Sequence, residues 1–435
     1  MDRTSIGMIG VGVVLLLIFM RVPIGVALGL VSIGGIYAIL GLTPALGTIT
    51  AIPFNFIGDW SLSAIPMFLL MGAVASQSGI TADLFQSMRM LLNRVPGGLA
   101  SATVAACALF AAASGSSLAT AGAMTRVAIP EMLRAKYDPA LATGTVASAG
   151  TLGSLIPPSI LMVLYGIFAE QSISVLFAAS FLPGILSAVL FIAMITVRAR
   201  LNPALAPPDD RRFTAREKLD SLRRVWPFPL IVLGILGGIF GGVFSPTEAG
   251  AAGAFLAILL AVWRRTFSLA DFGRALVETA NGTSGIFVIG IGAILFTKFM
   301  AIAGIPAYLT RTLEPLIAEP VLLVVLIGAI YVVLGMFVDS IGLLLLTLPV
   351  LMPIVKQADI NLIWFGVVVI KLLEVGMITP PLGLNVYVIK GALGKAVELG
   401  TVFRGCYWFI AMDLLLFAIF IAFPSLVLII PALMS

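Results

Sequence analysis

The residues best suited to chemistry come as two matched sets. Ser114-Gly115-Ser116-Ser117 forms the polar middle of one apolar stretch, and Gly153-Ser154-Leu155-Ile156-Pro157-Pro158-Ser159 interrupts another. Val338-Asp339-Ser340-Ile341-Gly342 and Gly376-Met377-Ile378-Thr379-Pro380-Pro381 repeat the arrangement further along. Hydroxyl, carboxylate and carbonyl oxygens are hard donors, better matched to sodium than to a transition metal. The chain has no histidine, which excludes imidazole metal sites and histidine-dependent catalysis. Its two cysteines, Cys107 and Cys406, lie in or at the edge of apolar runs, where a small buried hydrophobe is expected rather than a disulfide or zinc ligand.

The two sets are in register. Shifting the chain by 223 residues lays 114–163 on 337–386 without a gap, so that Ser117 meets Ser340, Pro130 meets Pro353 and Gly153 meets Gly376. Pro157-Pro158 then meets Pro380-Pro381. Scattered Leu and Val matches arise by chance, whereas aligned Gly and Pro-Pro positions rarely do.

The elements that carry these sets are membrane spans. Of 435 residues, 60% are hydrophobic and 10% charged, against about 45–50% and 25% in a soluble domain. The apolar residues form long runs matched to the hydrocarbon thickness. About ten spans are expected, at 5–20, 23–41, 57–77, 139–168, 174–197, 227–244, 249–263, 283–300, 361–389 and 405–431. Lys and Arg fall in alternate loops, and the loops near 42–56, 169–173 and 245–248 have none. This places the basic side in the cytoplasm and both termini outside. The net charge of +5 follows that pattern and forms no nucleic-acid patch. Trp60, Trp226, Trp263, Trp364 and Trp408 fall near span ends, as an interfacial belt requires. Segments 80–94 and 268–281 have helical apolar spacing and are expected as amphipathic helices along the cytoplasmic surface. The loop 198–226 reads as a solvated linker between halves.

With that topology the span at 57–77 runs inward and its counterpart at 283–300 outward, giving an inverted repeat, a construction common in secondary transporters. Each repeat holds a hairpin, at 100–133 and 321–355. Arms of about 14–16 residues, roughly 21–24 Å, are too short for a hydrocarbon core of about 30 Å. The hairpins are therefore expected to be re-entrant, from the cytoplasm and from outside respectively. Each repeat also holds a span broken at its Pro pair, Pro157-Pro158 or Pro380-Pro381, because proline removes an amide donor and clashes with the preceding turn. Unwound backbone at that depth must be buried in protein or line a cavity. A tip set against a break makes a cation site. One is expected from Ser114, Ser116, Ser117, Gly153 and Ser154, the other from Asp339, Ser340, Gly376 and Thr379. The returning arms present helix N-termini that favour an anionic substrate, placed near Ser117, Ser340 and Asn385.

Other readings stay open. Small residues and prolines also serve helix packing. Asp339 is either a ligand or a helix N-cap. Lys371 and Glu374 form an intramembrane ion pair or take part in transport. Arg126 and Lys298 reach an interface by snorkelling. Ser245-Pro246-Thr247-Glu248 has the form of a capping box.

FSPTEAGAAGAF at 244–255, SGSSLATAGAM at 114–124, IPPS at 156–159 and TPPLGLN at 379–385 resemble the large membrane subunit of tripartite ATP-independent periplasmic (TRAP) transporters, over essentially the whole chain. The resemblance implies an all-α polytopic membrane protein working as an elevator, in which hairpins and broken helices move against a scaffold. It implies sodium coupling without other cofactors, import of organic acids, a separate small four-helix membrane subunit, a periplasmic binding protein and an inner-membrane location. The chain then divides into scaffold spans and an arm helix (1–99), repeat 1 core (100–197), linker (198–226), scaffold spans and second arm helix (227–319) and repeat 2 core (320–435). A stand-alone anion carrier of the same architecture is the alternative. An intramembrane enzyme would need a nucleophile with a base, or paired acids, and neither is present.

Overall fold

The computed structural model describes residues 2–208, 211, 213–265 and 267–434. The expected linker therefore includes three positions, Asp209, Asp210 and Arg212, that lie outside the described residues. Helices joined by short turns make up the described chain. Six of them are long and apolar enough to cross a membrane, and two bent pairs bring the number to eight. Three of the ten expected spans are not among them. Arg3–Phe19 and Ile24–Leu40, at 17 residues each, fall just short on length, and 361–389 is split into the shorter helices Leu362–Gly376 and Leu384–Leu393. The hairpin arm Ser340–Gln357, expected to be too short, is one of the six.

The centre is built from the first halves of the two broken spans. Every residue of Leu141–Gly150 is buried, as is every residue from Trp364 to Gly376. The first span runs through Pro139–Gly150 and Leu152–Leu155, then bends by 41° into Ile160–Ala169. The second runs through Leu362–Gly376 and resumes at Leu384–Leu393. Both Pro pairs, Pro157-Pro158 and Pro380-Pro381, fall in the gaps and are cis. Each span begins the same way: Asp138 accepts from the Leu141 amide at 2.9 Å, and 223 residues later Asn361 accepts from the Trp364 amide at 3.0 Å. A short polar side chain there satisfies one of the amides a helix start leaves free.

Around this centre stand the hairpins, Gly98–Ser114 with Ser117–Arg134, and Pro320–Gly335 with Ser340–Gln357. Their arms have 16 to 18 residues, about 24–27 Å. They are longer than the sequence spacing indicated, because the polar tips shrink to one or a few residues once capped.

Several expectations are corrected. The apolar segment 42–56 is not a loop but part of the helix Leu42–Ile57, the absence of Lys and Arg having been read as a connection. Segment 268–281 is not a separate surface helix. It forms the first part of the 35-residue helix Leu269–Ala303, since no glycine cap or proline interrupts it before Gly304. The last span divides into Leu399–Ala422 and Ser425–Met434 at Pro424. The linker is not simply solvated. Its helix Ala215–Val225, begun by a Thr214/Glu217 capping box, lies on the helix Ile80–Leu92, and Ser221 Oγ is 2.6 Å from Ser87 Oγ. The Thr214 amide and hydroxyl hold the Glu217 carboxyl below its ordinary range. Ile80–Leu92 itself is half buried, tied by Arg89 to Glu131 at 2.9 Å and by Asp83 to Arg264. Four tryptophans are exposed as a belt requires, but Trp364 is buried and donates to the Phe420 carbonyl at 3.0 Å. Cys107 and Cys406 are free and buried, as expected.

Small residues set the closest helix contacts, as is usual where lipid gives no hydrophobic drive between helices. Pro139–Gly150 and Leu399–Ala422 touch through Gly144 and Gly405. A Cβ on Gly144 would lie 2.2 Å from the Gly405 carbonyl carbon. Gly405→Val is therefore expected to push these helices apart and to cost roughly 1–3 kcal/mol. A lower thermal unfolding midpoint of the detergent-purified protein is the check, with Gly400→Val, which faces open space, as the control.

Candidate cation site at the hairpin tips

Each break is closed by a tip. The Ile160 amide, which starts the helix after the first Pro pair, donates to the Gly115 carbonyl at 3.2 Å, and the Gly383 amide, 223 positions later, donates to the Met336 carbonyl at 3.3 Å. Backbone inside a membrane cannot be left without a partner, so each tip is fixed to its own break. The returning arms start alike. Ser116 caps the first through the Ala119 amide at 3.4 Å, and Asp339 caps the second through the Gly342 amide at 2.9 Å. The N-cap reading of Asp339 is thus observed.

The first set comes together in two places. Ser114 Oγ lies 2.6 Å from Thr120 Oγ1, which itself donates to the Ser116 carbonyl at 2.8 Å. Gly153 packs on that carbonyl, where a Cβ would stand 2.5 Å from the oxygen. Thr120 was not singled out in the sequence. Its signal is its position one turn into the returning arm, facing back to the tip. Ser154 presents its carbonyl to the Ser159 hydroxyl at 2.5 Å, while Ser117 turns the other way.

Ser117 and Ser340, equivalent across the repeat, donate to the same atom. Their hydroxyls lie 3.4 and 3.1 Å from Oε1 of Glu374, which is 1% exposed. Members of both expected sets thus converge on one carboxylate that the sequence reading left undecided. Thr379 does not join them, since its hydroxyl bonds back to the Val375 carbonyl at 2.6 Å. Gly376 serves close approach, its Cβ position 2.6 Å from Gly335 Cα. Asn385, fully buried, links the second broken span to the first by donating to the Ala147 carbonyl at 3.3 Å.

Lys371 does not pair with Glu374. Its Nζ lies 2.5 Å from Oδ1 of Asp413, with both side chains at 2% exposure or less, and 5.4 Å from the Phe191 ring centre. Asp413 was missed because it stands alone in an apolar run with no partner nearby in sequence.

Two cavities flank these elements. One of about 600 Å³ abuts the second tip and is lined by Arg21, Ser284 and Asp339 among others. The other, of about 750 Å³, is lined by Glu170, Lys298 and Lys356. Arg126 and Lys298 are both exposed, as snorkelling side chains would be. No cluster of three or more His, Cys, Asp or Glu able to hold a metal occurs among the described residues, which leaves hydroxyl and carbonyl oxygens with single carboxylates as the donor set.

This architecture is that of a polytopic, all-helical membrane protein. The fold is similar to the YdaH transporter of Alcanivorax borkumensis (TM-score 0.63, 16% identity, 87% of this chain and 88% of that one). It is also similar to MtrF of Neisseria gonorrhoeae (TM-score 0.59, 15% identity, 88% and 85%). Residues 11–426 match the family described as the tripartite ATP-independent periplasmic transporter, DctM component, and the chain belongs to that family as a large permease subunit, not an enzyme. Relatives include the C4-dicarboxylate TRAP transporter large permease of Pseudomonas aeruginosa, 35% identical over 375 residues and 86% of each chain. The sialic acid TRAP transporter large permease of Vibrio cholerae is 32% identical over 420 residues and 96% of each. The 2,3-diketo-L-gulonate TRAP transporter large permease of Escherichia coli is 33% identical over 376 residues, 86% of this chain and 87% of that one.

Removing one partner of a buried ion pair typically costs about 3–5 kcal/mol because the other charge is stranded. Asp413→Asn is accordingly expected to lower the thermal unfolding midpoint sharply. The Lys371→Met, Asp413→Leu double variant should recover most of the loss, and equal losses in single and double variants would contradict the pairing.

Proposed function

We propose that this chain is the translocating subunit of a sodium-coupled importer of organic acids in the bacterial inner membrane. It works with a separate small four-helix membrane subunit and a periplasmic binding protein. The observation that carries the reading is the convergence of the two hairpin tips, each fixed to its own broken span, on buried oxygens between the repeats. Hydroxyls, carbonyls and one carboxylate provide hard ligands for sodium. Helix N-termini at Ser117 and Ser340 face the same region and favour an anionic group. The named substrates of the three relatives all carry carboxylates, which agrees with that sign.

The hairpins and broken spans hold together through these bonds and through Asn385, so they move as one transport domain in an elevator, against the scaffold helices Ile24–Leu40 and Leu269–Ala303. In this reading the repeats are inverted, the hairpins re-entrant, the basic loops cytoplasmic and both termini periplasmic. Two sodium positions fall at the tips: Ser114, Ser116, Ser117, Gly153 and Ser154 at one, and Asp339, Ser340, Gly376 and Thr379 at the other. The carboxylate substrate lies near Ser117, Ser340 and Asn385.

Uptake of labelled organic acids into proteoliposomes holding this chain and its small subunit tests the proposal. Uptake is expected only with the cognate binding protein and an inward sodium gradient. Uptake with sodium but no binding protein would instead make it a stand-alone carrier, and indifference to sodium would remove the cation sites. In the same assay Gly153→Val, which drives a side chain into the Ser116 carbonyl, is expected to abolish sodium-dependent uptake while leaving the protein in the membrane.

A further inference from the structure

Glu374 is an acid the two tip sites do not require, and its surroundings leave its charge unanswered. It is 1% exposed, and its Oε2 takes no hydrogen bond among the described residues. Its Oε1 accepts from Ser117 and Ser340, yet hydroxyl donors do not neutralise a carboxylate. Lys371 is the one charged group that acts on it, and Lys371 already faces Asp413 at 2.5 Å. Two buried carboxyls share one ammonium, and Glu374 is the one left without a cation in contact. An unpaired charge inside a membrane protein is costly and is kept where it does work.

The repeat makes the position more pointed. The residue of the first repeat equivalent to Glu374 is Thr151, a neutral side chain that bonds back to the Ser148 carbonyl at 2.6 Å. The acid is therefore not a structural feature that the fold demands in both halves. It stands once, where the two equivalent serines meet. The cavity beside the second tip reaches Asp339, the residue next to Ser340.

We infer that Glu374 is the carboxylate ligand of one sodium ion held between the two hairpin tips, with Ser117 and Ser340 completing its oxygen set from opposite repeats. The inference rests on the sodium-coupled reading above and adds to it a single ion seen by both tips at once. Binding at this position ties the first returning arm to the second, which makes the occupancy of one repeat felt by the other. Lys371 and Asp413 are paired with each other, so a Glu374 carboxylate is balanced by one monovalent ion.

The test uses the complex of this chain with its small subunit, purified and reconstituted. Sodium half-saturation and cooperativity of uptake are measured beside the rise in unfolding temperature that sodium chloride gives over choline chloride. For Glu374→Gln the half-saturating sodium concentration is expected to rise about tenfold or more, as loss of a charged ligand implies, with lower cooperativity and a smaller sodium-induced stabilisation. Wild-type half-saturation and cooperativity in Glu374→Gln would overturn the inference. Should that variant not fold, the Ser117→Ala, Ser340→Ala pair keeps the charge and removes both hydroxyl ligands. A several-fold rise in half-saturation is then expected, and no change would overturn the inference. A wild-type complex indifferent to sodium in both measurements marks failure of the sodium-coupled reading itself, which separates the two outcomes.

Discussion

Backbone that leaves a helix inside a membrane has to find its hydrogen bonds within the protein, and the arrangement of this chain follows from that requirement. The Pro pairs at 157–158 and 380–381 open two central spans, and the amides that resume each helix are taken by carbonyls at the hairpin tips, Gly115 and Met336. A tip that satisfies a break cannot move away from it without exposing both. The hairpins are thereby bound to the broken spans, and the oxygens they bring along are concentrated between the repeats. The same constraint that breaks the spans thus brings these oxygens together.

Charge is arranged with similar economy. Lys371 and Asp413 join the second broken span to the helix Leu399–Ala422 while remaining out of contact with lipid. Glu374, one turn along from Lys371, is spared that pairing and faces the tips instead. Glycine contacts such as Gly144 with Gly405 bring the surrounding helices close enough to support this interior. Distal parts, including the linker helix Ala215–Val225 and the half-buried Ile80–Leu92, brace the first hairpin at the end away from its tip through Ser87, Arg89 and Glu131.

Much of this was legible in the sequence because proline, glycine and serine act locally. Pro157-Pro158 and Pro380-Pro381 marked the breaks directly, and the equivalence of Ser117 with Ser340 followed from register alone. What escaped depended on distant partners. Glu374 was visible as an intramembrane acid, but its nearest charge in sequence, Lys371, drew attention as its partner. The actual partner of Lys371 is Asp413, 42 positions away, and no local pattern reveals that. The hydroxyl of Thr379, just before the prolines, bonds back to its own helix at Val375, which leaves its carbonyl as the oxygen it can offer an ion. Charge-free segments were equally ambiguous, and 42–56 read as a loop although it folds as a helix.

The most direct measurement is a structure of the complex in nanodiscs, determined once in sodium chloride and once in choline chloride, at a resolution that shows bound ions. The account predicts density within coordination distance of Ser117, Ser340 and Glu374 in sodium only, with the tips still joined to their breaks through Gly115 and Met336. Identical maps in the two salts, or an ion held elsewhere with Glu374 turned away from both serines, would contradict it.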